Sequence, residues 1–159
     1  MDSFYLVLNS EACKDYYSTN NGLTFKNKLL NNICLEGTWN VALCDIQIYR
    51  QVYPPGTEMM HSLWIYSDIV IDTQIGDLSA PLLKRISLPD IKNNWLICDI
   101  KNFFYVPIRS NFIECIKISI KADISSSYDT FIEEFPVVSN IKRLTRKPTS
   151  LTLHFKKIL

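Results

Sequence analysis

The strongest constraint on this chain is the spacing of its apolar residues, which recurs with a period of two and scarcely anywhere with the period of a helix. In "ECIKISIKA" (114–122), Ile116, Ile118 and Ile120 alternate with Lys117, Ser119 and Lys121. Successive side chains of a strand point to opposite faces, so this stretch sets three isoleucines on a core and three polar groups in water. "LTLHFKK" (151–157) repeats the pattern, with Leu151, Leu153 and Phe155 opposed to Thr152, His154 and Lys156. "SFYLVLN" aligns Phe4, Leu6 and Leu8, and "LTFKNKLL" aligns Leu23, Phe25 and Leu29 against Lys26 and Lys28. In "TWNVALCDIQIY" the apolar face holds Trp39, Val41 and Leu43, then passes to Ile46 and Ile48 beyond Asp45, which marks a bulge. "SLWIYSDIVI", "LLKRISL" and "FFYVPI" complete eight strands. The last ends at Pro107, which cannot donate to a ladder and suits an edge.

Between the strands lie turn-like stretches at 18–22, 53–58, 75–81, 89–94 and 123–129. Single helical turns fit 12–17 and 128–135, both too short to be stable alone. Strands separated by punctuated loops, without crossover helices, indicate an antiparallel sandwich, and eight of them in two Greek keys make a jelly roll. The expected fold is therefore all-β: a single eight-stranded antiparallel jelly roll (β-sandwich). One domain covers 1–159, with a long loop insertion at about 123–149. A chain of 159 residues can bury a core without metal or disulfide staples.

The run from 63 to 71 is apolar on both faces: Leu63, Ile65, Ile69 and Ile71 on one, Trp64, Tyr66 and Val70 on the other. In a sandwich only one face of a sheet meets the opposite sheet. Each large apolar side chain removed from water contributes about 1.5–3 kcal/mol, so the second face calls for cover. The 124–149 segment is one candidate and a second copy of the chain is the other.

Apolar residues make up 47% and charged residues 21% of the chain, which excludes a disordered polypeptide. No apolar run nears the roughly 18 residues that span a bilayer. The start, Met1-Asp2-Ser3-Phe4, lacks a basic n-region, so secretion by a signal peptide is not expected. Five cysteines without a C-x-x-C pair read as reduced thiols of an intracellular protein. The charge is uneven. Residues 1–139 carry all 16 acids and 11 bases, whereas the last 20 carry six bases and no acid. A basic segment of this kind, with Lys142, Arg143, Arg146 and Lys147, faces an acidic partner or nucleic acid when it is more than a solvated loop.

No catalytic constellation emerges, and the expectation is that the chain is not an enzyme and carries no cofactor. His61 and His154 are far apart, and two histidines cannot build the metal centre of a jelly-roll enzyme. His154 sits at an outward strand position. Asp68, Asp72 and Asp77 supply oxygen ligands, but Asp68 and Asp72 project from one strand face and Asp77 suits a turn, so they read as structural. Three Trp, eight Tyr and eight Phe are abundant. An oligonucleotide-binding face would interleave them with Lys and Arg on central strands, and the bases gather at the C-terminus instead.

Six stretches in order, "GTWNVALCDI" (37–46), "LWIYSDIV" (63–70), "GDLSAPLLKRI" (76–86), "FYVPI" (104–108), "FIECIKISIKAD" (112–123) and "LTLHF" (151–155), resemble the penton, or minor capsid, proteins of Polinton/Maverick elements and adintoviruses. The resemblance spans roughly residues 4 to 155. It implies a structural virion protein: a single jelly roll that forms a homopentamer at icosahedral vertices beside a double-jelly-roll major capsid protein, assembled inside the host cell. The subunit contacts expected are Trp64, Tyr66, Tyr53, Met59 and Met60, with the 142–147 bases facing a neighbour or genome DNA. The chain departs from that family between Ala122 and Ser150, where it has no Gly and shows Phe135-Pro136 in reversed order. The other readings are a jelly-roll module for glycan or receptor recognition and a host-domesticated capsid-derived protein.

Overall fold

The computed structural model describes residues 2–13, 15–49, 59–87, 95–125 and 148–158. The strands are β1 (Ser3–Asn9), β2 (Thr24–Cys34), β3 (Thr38–Tyr49), β4 (Met59–Ser67), β5 (Thr73–Ile75), β6 (Leu78–Ala80), β7 (Leu82–Ser87), β8 (Trp95–Asp99), β9 (Val106–Pro107), β10 (Phe112–Ser125) and β11 (Ser150–Ile158). Four antiparallel pairings are nested: β1 with β11, β2 with β10, β3 with β8, and β4 with β7. The chain is thus one long hairpin, rolled so that β11 also pairs with β3 and β10 with β4. Two sheets result, ordered β1-β11-β3-β8 and β2-β10-β4-β7. This is the all-β jelly roll expected from the alternation.

The inward residues of both sheets form one core. Phe25, Val41, Ile46, Ile65, Ile116, Ile118, Leu151, Leu153 and Phe155 are each at most 1% exposed. The bulge in β3 is present: the ladder steps from Thr152↔Asp45 to Leu153↔Leu43 and leaves Cys44 as the extra residue.

Two strand assignments differ from expectation. "WLICD" forms β8, whereas of "FFYVPI" only Val106–Pro107 joins the ladder of β3. Phe103 and Tyr105 of that stretch lie against the outside of the sheet instead. The run after β4 also breaks early. Asp68 and Ile69 form a turn, Val70 makes a lone bridge to Ile108, and Ile71 is 41% exposed rather than facing the core with Leu63 and Ile65. Residues 75–81 fold as the β5–β6 hairpin around Gly76-Asp77. A single turn closes at 12–17, where the N–H groups of Tyr16 and Tyr17 donate to the Cys13 carbonyl. The helical turn expected at 128–135 lies outside the described residues.

Where β1, β2 and β11 meet, buried polar side chains complete the ladders. Asn27 accepts from the Asn9 N–H (3.2 Å) and donates to the Asn9 carbonyl (3.0 Å). Asn20 does the same for Lys26, at 2.9 and 2.8 Å. Thr149 donates to the Gly22 carbonyl at 2.6 Å, and its own N–H donates to Ser10 Oγ at 2.9 Å.

Candidate assembly surfaces

The outer face of the first sheet carries a cluster of rings. Tyr5 of β1 stacks on His154 of β11, with centroids 4.3 Å apart. Phe103 and Tyr105, from the segment between β8 and β9, pack on the same imidazole at 6.0 and 5.8 Å. The Tyr105 hydroxyl lies 2.8 Å from His154 Nδ1 and donates to it in the tautomer that leaves Nδ1 without a proton. Burial, with Lys156 nearby, holds the His154 pKa below its ordinary value. Below these rings, Ala42 is fully buried although it faces outward. The thiol of Cys44 is pushed up to about 11, first by burial and then by Asp45 and Asp99.

At the margin of this face, β1 pairs with β11 alone among the described residues and so forms an open edge. The Ser10 N–H donates to the Thr149 carbonyl and the Lys157 N–H to the Asp2 carbonyl, so the even-numbered residues of β1 point at β11. The backbone groups of Ser3, Tyr5 and Val7 therefore point away from the sheet. Tyr5 and Val7 are 63% and 68% exposed, and β1 contains no charge and no proline. Natural edge strands usually carry such protection. The β7 edge does: Lys84 and Arg85 stand on it.

The outer face of the second sheet is different in kind. Lys26 and Lys28 of β2, Lys117 and Lys121 of β10, and Arg85 of β7 share it. Four of these cations lie over rings: Lys26 over Tyr17 (5.2 Å), Lys28 over Tyr16 (5.1 Å), Lys121 over Tyr66 (5.4 Å) and Arg85 over Trp64 (4.7 Å). Bases and aromatics do interleave on the central strands β10 and β4, contrary to the sequence expectation.

A third feature is a groove of 470 Å³ at one end of the sandwich, lined by Phe4, Ile33, Leu35, Trp39, Glu36 and Lys157 among others. Trp39 is fixed there by an Nε1–H bond to the Glu36 carbonyl at 3.0 Å.

Of the residues singled out from sequence, Trp64 and Tyr66 lie half-buried on the outer face of the second sheet, beneath Arg85 and Lys121. Met59 and Met60 pair with Ser125 and Ile124 through their backbones. Tyr53, Lys142, Arg143, Arg146 and Lys147 lie outside the described residues. The three aspartates serve structure: Asp68 accepts from the Lys117 N–H at 2.9 Å, Asp72 pairs with Arg109 at 2.6 Å, and Asp77 sits in the hairpin turn. Tyr5, Val7, Phe103 and Tyr105 were not singled out. The available signal was that β1 is apolar on both faces, like the 63–71 run. All five cysteines are free thiols. Among the described residues no helix is long and apolar enough to cross a membrane.

No protein-family model matches the chain, and no curated protein matches it. Among solved structures, the crystal structure of the mavirus penton protein aligns over 98% of this chain and 100% of that one, at a TM-score of 0.60 and 6% identity. The nested pairings and the two packed sheets described above, one of five strands and one of four, thus belong to a chain with the fold of the mavirus penton protein.

Proposed function

We propose that this chain is a penton, or minor capsid, subunit that assembles as a homopentamer at icosahedral vertices beside a double-jelly-roll major capsid protein. The observation that carries the reading is the alignment with the mavirus penton protein, which covers nearly all of both chains rather than a shared sheet. Its role is structural: it works by contact, not by turnover. A ring closes through head-to-tail contacts between two different patches of each copy. The open β1 edge with Tyr5 and Val7 is one patch, since an uncovered strand edge is a template for pairing. The apolar face beside it, with Phe103, extends that patch.

Light scattering of the purified chain tests this. The expected mass is five times the 18.4 kDa of one chain. Val7→Lys should convert the assembly to monomer with no loss of thermal stability, because that side chain already faces water. A monomer that stays monomeric when mixed with its cognate major capsid protein would overturn the reading.

A further inference from the structure

The four strand edges that bound the two sheets differ in how they are protected. A loop closes the β2 edge, where Asn20 bonds both backbone groups of Lys26 at 2.9 and 2.8 Å. The β7 edge carries Lys84 and Arg85, the kind of charge that keeps edges apart. The other two, β1 and β8, are the opposite margins of one sheet. Among the described residues β8 pairs with β3 alone. Its Ile100 N–H donates to the Cys44 carbonyl, so the even-numbered residues of this segment bond to β3. The backbone groups of Trp95, Ile97 and Asp99 therefore point away from the sheet, as those of Ser3, Tyr5 and Val7 do on β1.

Direction, facing and charge all match between these two edges. β1, β11, β3 and β8 are antiparallel in turn, so β1 and β8 run in opposite directions. A copy rotated about an axis along the strands sets its β8 antiparallel to β1, with both outer faces on one side. Ile97 is 64% exposed and stands on that face, as Tyr5 and Val7 do. Asp99 lies directly opposite Asp45 across the ladder, and like charges so placed destabilise a sheet. Among the described residues no cation pairs with either carboxylate. At the other margin Lys156 is exposed and stands beside Ser3. Within one chain its ammonium lies 5.7 Å from the centre of the Tyr105 ring.

We infer that β1 of one copy adds as a strand to β8 of the next, and that Lys156 reaches across Ser3 to the partner's Asp99. The register sets Ser3 against the partner's Asp99, Tyr5 against the partner's Ile97 and Val7 against the partner's Trp95. Each of these pairs exchanges two backbone hydrogen bonds, and the apolar side chains meet apolar ones on the outer face. Lys156 and the partner's Asp99 are two ladder steps apart, about 10 Å, with only the small Ser3 between them. The inference rests on the vertex reading and supplies the second patch that a head-to-tail ring needs. Pairing of β1 with β1 of a two-fold partner would use the same backbone groups. It would leave Asp45 and Asp99 facing each other without a cation, and it closes a dimer rather than a ring.

Charge reversal read by light scattering tests the contact. Ser3→Glu sets an acid against the partner's Asp99 and draws Lys156 to itself. The mass should fall from five copies to one, with the far-UV circular dichroism unchanged because Ser3 is exposed. Ser3→Glu with Asp99→Lys should restore five copies. That rescue requires the two positions to meet between copies, since within one chain they lie at opposite margins of the sheet. A five-copy mass that survives Ser3→Glu, or a folded double variant that stays monomeric, overturns the contact while the ring stands. A wild-type chain that stops at two copies, or forms no ring even with its cognate major capsid protein, overturns the vertex reading and this contact together.

Discussion

Asn27 shows how much one side chain can hold at a strand corner. It is 5% exposed and joins the end of β1 to β2 by bonding both backbone groups of Asn9. Asn27→Ala leaves those half-buried groups without that partner, at a cost of about 1–3 kcal/mol for an unsatisfied group. Thermal denaturation should show a clear fall in midpoint, and Asn27→Asp should recover little, because a carboxylate cannot donate to the Asn9 carbonyl. His154 makes a second case, through pH. Its folded pKa is lowered by burial and by Lys156, so below about 6.5 the unfolded chain takes up a proton that the folded chain resists. Stability contributed by the neutral ring is present above that pH and is lost as the pH falls towards the folded pKa. His154→Gln should flatten this part of the stability curve, read as the difference in midpoint between neutral and mildly acidic buffer. The groups facing the ring are Tyr5, Phe103, Tyr105 and Lys156.

Among elements, those with strict alternation were legible in the sequence: β1, β10 and β11 lie where their apolar residues predict. β8 was missed for a physical reason. Its five residues end in Asp99 and follow a polar stretch, so the alternation of Leu96 and Cys98 is too short to stand out. "FFYVPI" misled because aromatic residues favour strands for the same reason that they favour any half-buried surface; here they cover a sheet from outside. The cation–ring rows were beyond sequence reasoning altogether. Trp64 meets Arg85, and Tyr66 meets Lys121, only once β4 lies between β7 and β10. The β5–β6 hairpin depends on a single local feature: Gly76 holds φ +62° at the first position of a two-residue turn, the place that II′ turns give to glycine. No atom lies within 4 Å of a Cβ built there, so Gly76→Ala tests backbone strain alone, about 1–3 kcal/mol. Hydrogen exchange should speed up at the hairpin amides while those of β10 keep their protection.

For the molecule as a whole, the nested pairing makes the last strand the keystone of the first sheet. β11 lies between β1 and β3, so among the described residues β1 joins the backbone ladder of the first sheet through β11 alone. Leu151, Leu153 and Phe155 are fully buried at its centre, and losing them would expose apolar surface worth about 1.5–3 kcal/mol for each side chain. That sum rivals the whole stability of a domain, about 5–15 kcal/mol. The pairings also join the most distant parts of the chain, as in Ser3↔Lys156, and such contacts form slowly because loop entropy is lost before they form. A fragment ending at residue 147 should therefore show no cooperative unfolding transition. Adding a peptide of residues 148–159 should restore one, because the vacant slot between β1 and β3 offers backbone groups on both sides and pockets for three alternate side chains. Circular dichroism with and without the peptide checks this. Cooperative melting of the fragment alone would mean that the two sheets hold together without the strand that joins the ends of the hairpin.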